Sequence, residues 1–341
     1  MASPDQHVMD DGDADYMDSL LQEICLMVVG DDQLPAGAPE HMQYPAAPIS
    51  DGGAAAAAAA AFYEADILEN LRTMEIDVSQ QPSPDYMSAV QRDRINPAMR
   101  ASVVVWMDEM SRGYGLADGT LHRAVCCIDR YLSAKPLEAV SPRQLGLLAA
   151  TAVFLAAKYE KDFTAWRLNA SVIARDIGSG LYAPSEVVHT ERDLLAALDY
   201  KLGRPTALTF VDHYLARNNG AYGNLDGSPT ASLARHLADL TLLDYRSLRH
   251  PPSAVAASAV HLARCATIEN GPPPPAGDPP SDAGLEEVTR YSFADLAGCI
   301  EEMYDIHETE CWPGYGKMKA RYSINYSLPA RKCVLPLKSS S

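Results

Sequence analysis

No C-x-x-C pair occurs among the seven cysteines, an odd number spread from Cys25 to Cys333. In a chain of 341 residues that argues for free thiols in a reducing compartment, not for a disulfide framework. No basic stretch precedes the apolar LLQEICLMVV that ends at Val29, so no secretory signal is expected, and the location expected is nuclear or cytoplasmic. No apolar run reaches the ~20 residues of a membrane span. Basic residues are almost missing from the first 91 positions, which hold seventeen Asp/Glu against Arg72 alone, a balance of −16 that leaves −1 for the remaining 250 residues. Direct binding to nucleic acid or to an anionic membrane, which needs basic surface, is therefore not expected.

Chemistry-bearing motifs are also absent. The nine histidines form no H-E-x-x-H and stand at no zinc spacing with cysteine. His307-Glu308-Thr309-Glu310-Cys311 is dense in ligand types but reads as the polar end of a helix. Gly178-Ser179-Gly180 is a break between helices, not a phosphate-cradling loop. No order of serine, histidine and aspartate stands out from chance. Neither a metal nor another cofactor is expected, and a catalytic role has no support.

Helical periodicity is what the sequence does hold. Ser141 to Lys161, SPRQLGLLAATAVFLAAKYEK, opens with a serine that can cap free amides and a proline suited to the first turn. From Leu145 to Ala157 no residue is charged and many are small, the pattern of a helix enclosed by other helices. It then surfaces in the charged tip Lys158, Tyr159, Glu160 and Lys161. Four more helices are expected around it: Ala98 to Arg112, one through Leu121 to Leu132, a short one from Asn169 to Ile177, and Pro184 to Leu202, closed by Gly203. A further amphipathic helix, Phe62 to Ile76, precedes them. No alternating strand pattern is evident.

After Arg204-Pro205-Thr206 the pattern partly returns. Ala150-Thr-Ala-Val-Phe-Leu-Ala156 is echoed by Ala257-Ser-Ala-Val-His-Leu-Ala263, an offset at which Val103 falls on Phe210 and Met107 on Tyr214. Ile128-Asp129 corresponds to Leu243-Asp244 if the intervening loop is longer. One helical module used twice is the expectation: an all-α chain of two tandem five-helix modules preceded by an N-terminal helix. The expected boundaries are a disordered acidic and alanine-rich leader at 1–61, in which Tyr16 to Val29 reads as a transient amphipathic helix, and the N-terminal helix and its connection at 62–90. The modules follow at 91–204 and 205–326, the second with a proline-rich insertion at 271–283, then a basic tail at 327–341.

Met99-Arg100-Ala101 with Trp106, Thr120-Leu121, Ile128-Asp129-Arg130-Tyr131-Leu132-Ser133, Lys158-Tyr159-Glu160, Glu191 and Pro205-Thr206 together resemble the cyclin box. The similarity runs from about Phe62 to Tyr326 and is strongest to mitotic A/B-type cyclins. It implies a regulatory subunit that binds and activates a cyclin-dependent protein kinase in the cell cycle. By resemblance, Lys158 and Glu191 sit at helix ends and hydrogen-bond the kinase, while Tyr159, Tyr200 and Leu202 pack against it. Arg100 and Asp129 would form a buried ion pair. Met99, Val103, Trp106 and Glu109 would form a face that recruits protein substrates or inhibitors.

Departures from the family pattern fall mostly on that face, where Ser102, Val103 and Gly146 replace the usual residues, and on Val105 and Lys161. Kinase binding is accordingly expected to be better preserved than substrate docking. Arg192-Asp-Leu-Leu195 matches a short destruction-box pattern but falls inside a predicted helix, where packing explains it. Three other readings stay open: a kinase-independent adaptor or transcription-type protein on the same repeats, an all-helical enzyme, and a cyclin that binds without activating.

Overall fold

The computed structural model describes residues 53–137, 141–160, 168–177, 182–218, 228–270, 282–309, 312, 315–320 and 328. The Tyr16–Val29 segment, Lys161, nearly all of the proline-rich insertion and the basic tail lie outside the described residues. Among the described residues there is no strand. The elements are α1 (Gly53–Glu75), α2 (Tyr86–Ala89), α3 (Pro97–Gly113), α4 (Asp118–Ala134), α5 (Pro142–Tyr159), α6 (Ala170–Val172, running into a π turn at Ile173–Ile177) and α7 (Pro184–Ala197). After Pro205 come α8 (Ala207–Asn218), α9 (Pro229–Thr241), α10 (Pro252–Asn270), α11 (Asp282–Thr289), α12 (Phe293–Thr309) and α13 (Tyr315–Ala320). Helices α3–α7 form one five-helix module and α8–α12 a second, so the architecture is all-α with two tandem modules.

Local chemistry sets the helix starts. Asn96 accepts from the Met99 amide at 2.8 Å ahead of Pro97. Ser141 Oγ accepts from the Gln144 amide at 3.2 Å ahead of Pro142, and Asn169 Oδ1 accepts from Ser171 and Val172. Each side chain satisfies amides that a helix leaves without intrahelical partners.

Two expected boundaries move. Helix α1 starts at Gly53 and so runs through the alanine stretch assigned above to a disordered leader; alanine has the highest helix propensity, and the helix that follows supplies the nucleus. Helix α7 ends at Ala197, not at Leu202. Asp199 and Tyr200 take the left-handed conformation, φ +52° and +57°, and their amides return to Ala196 O and Leu195 O at 3.2 and 2.9 Å. This is the geometry of a glycine helix stop built from non-glycine residues, so the sequence offered no stop signal before Gly203.

Helix α5 is the axis of the first core. Leu145 and every residue from Leu147 to Ala157 are buried, enclosed by α3, α4 and α7. In the second core α10 takes that place, with Ala254–Ala257 and Ala259, Val260, Leu262 and Ala263 buried against α8, α9 and α12. Small side chains in both rods allow close helix approach, and packing at interior density does the rest. Gly146 of α5 is one such approach: a Cβ there would lie 2.9 Å from the Tyr182 hydroxyl, which donates to Arg143 O at 3.0 Å.

Polar links join the modules. His122 Nε2 of α4 meets Asp239 Oδ1 of α9 at 2.8 Å, both buried. Tyr245 Oη accepts from the Met87 amide at 3.2 Å, and its ring stands edge-on to Tyr86. Helix α13 packs back on α3, with Tyr315 and Met318 in the first core. At the other end α1 is fastened to the second module. Its Leu68 enters the second core, Arg72 donates to the Tyr214 hydroxyl and to Thr289 O, and the buried Glu75 carboxylate accepts from Ser253 N and Oγ at 2.6 and 2.7 Å.

The match of Ile128-Asp129 with Leu243-Asp244 does not hold. Asp129 lies within α4, whereas Asp244 lies beyond the end of α9 and caps the short turn at Tyr245–Arg249.

Candidate functional site

Helix α5 leaves the core at Lys158. Lys158 Nζ is paired with the Glu191 carboxylate and sits 4.1 Å from the Phe154 ring centroid. Glu191 comes from the middle of α7, not from its end, so the pair ties two helices 33 residues apart in sequence. Tyr159 follows, 43% exposed, and Tyr200 stands clear of the surface at 71%; both are among the few large apolar side chains left in water. The left-handed turn at Asp199–Tyr200 projects the Tyr200 side chain outward, and Leu202 packs partly against the first core. Thus Lys158, Tyr159 and Glu191 meet at the exposed end of one buried rod, while Tyr200 and Leu202 lie in the segment that follows α7.

One member of this tip was not singled out in the sequence. Arg123 of α4, with only 11% of its side chain exposed, pairs with Glu160, donates to Leu202 O at 2.6 Å and stacks its guanidinium 4.3 Å from the Tyr159 ring centroid. The available signal was a cation inside the otherwise uncharged Leu121–Ile128 stretch, LHRAVCCI.

Arg100 and Asp129 are brought together in the first core, Nε to Oδ1 and Nη2 to Oδ2 both at 2.7 Å. Arg100 Nη1 also donates to Leu242 O at 2.7 Å, so the pair reaches into the second module. The Tyr86 hydroxyl donates to Asp129 Oδ1 at 2.9 Å. Burial lowers the Arg100 pKa, but the Asp129 carboxylate more than offsets this and holds it above the usual arginine value. Burial, then the same carboxylate, pushes the Tyr86 phenol well up. Both groups keep their protons, and the cluster serves as a clamp.

The face expected at Met99, Val103, Trp106 and Glu109 is not an open surface. Met99, Val103 and Trp106 are at most 6% exposed, Val105 beside them is buried too, and Glu109 alone is half-buried. They lie on the core side of α3, where the gap lined by Met99 and Val103 holds about 20 Å³, less than a side chain. Trp106 Nε1 is buried without an acceptor among the described residues. Ser102 donates to Ala98 O at 3.0 Å within the helix.

Among the described residues no catalytic constellation accompanies these features. Burial pushes the Cys127 and Cys299 thiols up to about 12, which keeps them protonated and unreactive. Among the described residues no group of three His, Cys, Asp or Glu side chains converges as a metal site, and no helix is long and apolar enough to cross a membrane.

Comparison with known proteins shows the family. Residues 66–203 match the family described as "Cyclin, N-terminal domain" and residues 205–325 match "Cyclin, C-terminal domain". Among curated proteins the chain is 43% identical over 257 residues to Cyclin-F2-2 of Oryza sativa subsp. japonica, covering 74% of this chain and 54% of that protein. To Putative cyclin-F2-1 of the same organism it is 42% identical over 252 residues, 73% and 61% of the two chains. To Cyclin-A3-2 of Arabidopsis thaliana the identity is 35% over 247 residues, 72% and 62%. The match thus spans 54–62% of the length of these three relatives. Among solved structures, the X-ray structure of a viral cyclin from herpesvirus saimiri superposes with a TM-score of 0.55 at 16% identity, covering 71% of this chain and 97% of the other. At that identity the likeness concerns the fold alone.

Proposed function

The chain belongs to the cyclin family, and from that premise we propose that it binds and activates a cyclin-dependent Ser/Thr kinase through the tip at the end of α5. The observation that carries this is the Lys158–Glu191 pair next to the exposed Tyr159, with Tyr200 exposed in the turn that follows α7. A partly exposed ion pair adds little to stability. Beside an exposed tyrosine it offers polar groups and apolar area together, the composition of an interface centre.

In this reading Lys158 and Glu191 exchange each other for groups on the kinase, and Tyr159, Tyr200 and Leu202 cover apolar kinase surface. A kinase of this class needs its active-site lysine–glutamate pair and metal site assembled. Binding energy at the tip favours the state in which the kinase's glutamate helix is turned inward and its activation loop ordered, a population shift. The cyclin itself supplies no reacting group. Protein substrates or inhibitors would meet the complex elsewhere than at the buried Met99–Trp106 face.

The test is a pull-down of cyclin-dependent kinases with the wild-type chain and with the Lys158→Ala/Glu191→Ala variant, followed by histone phosphorylation by the bound fraction. Truncating partners of interfacial charge pairs costs about 2–5 kcal/mol, so the variant should lose the kinase and its activity by roughly 30-fold or more. Kinase bound without activity would leave a binder that does not activate, and no kinase bound by the wild type would sink the reading.

A further inference from the structure

Arg123 is held by three separate parts of the first module's surface. Its Nε meets the Glu160 carboxylate just beyond the end of α5. Its Nη1 donates to Leu202 O at 2.6 Å and to Arg204 O at 3.3 Å, in the stretch between α7 and α8 that has no regular structure. Its planar face lies over the Tyr159 ring. Backbone carbonyls outside helices need donors from elsewhere, and guanidinium can supply several in one plane while stacking on an aromatic ring. Lysine, with a compact ammonium, cannot do both. The Tyr159 hydroxyl also lies close to Gly203, where a Cβ would stand 3.0 Å from it.

We infer that Arg123 is a positioning residue of the kinase-contact tip, holding Tyr159, Glu160 and the 202–204 backbone in their binding arrangement before a partner arrives. A half-exposed tyrosine and an irregular segment would otherwise have to be ordered during association, which weakens binding. The consequence for affinity rests on the reading given under "Proposed function"; the ordering of the tip does not.

The experiment compares the full-length chain with Arg123→Leu and Arg123→Lys. Amide hydrogen exchange is followed by mass spectrometry in peptides covering 156–160 and 199–204, with α10 as internal reference. Exchange at the tip should rise about tenfold in both variants, as expected for about 1.4 kcal/mol of lost local order, with α10 unchanged. Unchanged exchange at the tip would overturn the inference. If Arg123→Leu fails to fold, Arg123→Lys, which keeps charge and stem, carries the same test.

The second arm measures affinity for whichever kinase the wild-type chain captures. Arg123→Leu should weaken it about tenfold, but less than about twofold in a Tyr159→Ala background, because residues acting as one unit are non-additive. Effects that simply multiply would overturn the inference. If the wild type captures no kinase, the functional reading fails, and the exchange measurement alone decides the role of Arg123.

Discussion

Helices α5 and α10 occupy the same place in their modules and are both buried, alanine-rich rods, yet they are held and used differently at each end. At its N-terminus α5 is capped by its own Ser141, whereas α10 is capped by Glu75 of α1, 178 residues earlier in the chain. At the C-terminus α5 emerges as Lys158, Tyr159 and Glu160. At the 107-residue offset of the repeat, α10 has Cys265, Ala266 and Thr267; Ala266 is buried and Thr267 is hydrogen-bonded to Thr230 and Ala263 O. The same offset puts Gly298 of α12 where α7 carries Glu191. One scaffold is therefore used twice: the first rod ends in a charged tip, the second ends without one, and α1 docks at the N-terminal end of the second rod.

The largest test of this contrast lies in the ion pairs joining the first two helices of each module. Arg100–Asp129 between α3 and α4 is buried on both sides. Arg235–Asp212 between α9 and α8, at 2.9 Å, leaves the aspartate half exposed. Asp129→Asn strands a buried guanidinium and should cost about 3–5 kcal/mol. Asp212→Asn should cost about 1 kcal/mol or less. Urea unfolding of the two variants measures both, and equal losses would erase the distinction between the modules.

The caps give a smaller difference of the same kind. Glu75→Ala removes two hydrogen bonds to a buried carboxylate and should cost about 1.5–3 kcal/mol, with faster amide exchange along residues 65–75 as α1 loosens from the second module. Ser141→Ala should cost about 1 kcal/mol and leave α1 exchange unchanged. The pair of melting curves, read with the exchange data, separates a cap that also docks a helix from one that does not.

The smallest effect concerns pH. Glu186 near the start of α7 is held below the usual glutamate range by the Ala183 amide and then by Arg143. Asp295 near the start of α12 is held below the usual aspartate range by the Ser292 hydroxyl and amide. A carboxylate with a depressed folded pKa adds stability that is fully present above its unfolded value, 4.5 for Glu186 and 3.8 for Asp295, and that is lost as pH falls through the lower folded value. Carboxyl NMR titration should place both midpoints below those values. High salt should raise that of Glu186 more, since only it has an arginine partner.

Much of this architecture was legible because its causes are local. The Ser141-Pro142 start, the uncharged stretch to Ala157 and the charged tip act within one or two helical turns, and they marked α5 directly. The echo at Ala257–Ala263 marked its counterpart in the second module. The proposed contact residues Lys158, Tyr159, Glu191, Tyr200 and Leu202 were selected through the family resemblance, since no property of a single lysine or glutamate distinguishes an interface from a wet helix end.

What escaped the sequence depends on groups distant along the chain. The end of α7 at Ala197 uses Asp199 and Tyr200 in a conformation that neither residue type announces. Met99, Val103 and Trp106 recur with Met107 and Met110 at helical spacing, so their burial was legible as one apolar stripe; the open face was suggested by the resemblance alone.

By itself the sequence determined that the chain is helical, that the helices fall into two related modules, and that one buried rod surfaces in charge, because helix periodicity and capping are settled by neighbours in sequence. Only the tertiary structure decided that Glu75 caps α10, that Arg100 reaches Leu242 in the other module, and that Arg123 gathers Tyr159, Glu160 and the 202–204 backbone into one tip. A hydrogen bond or a stacked cation acts over a few ångströms of space, and which residues come that close is set by packing the helices together.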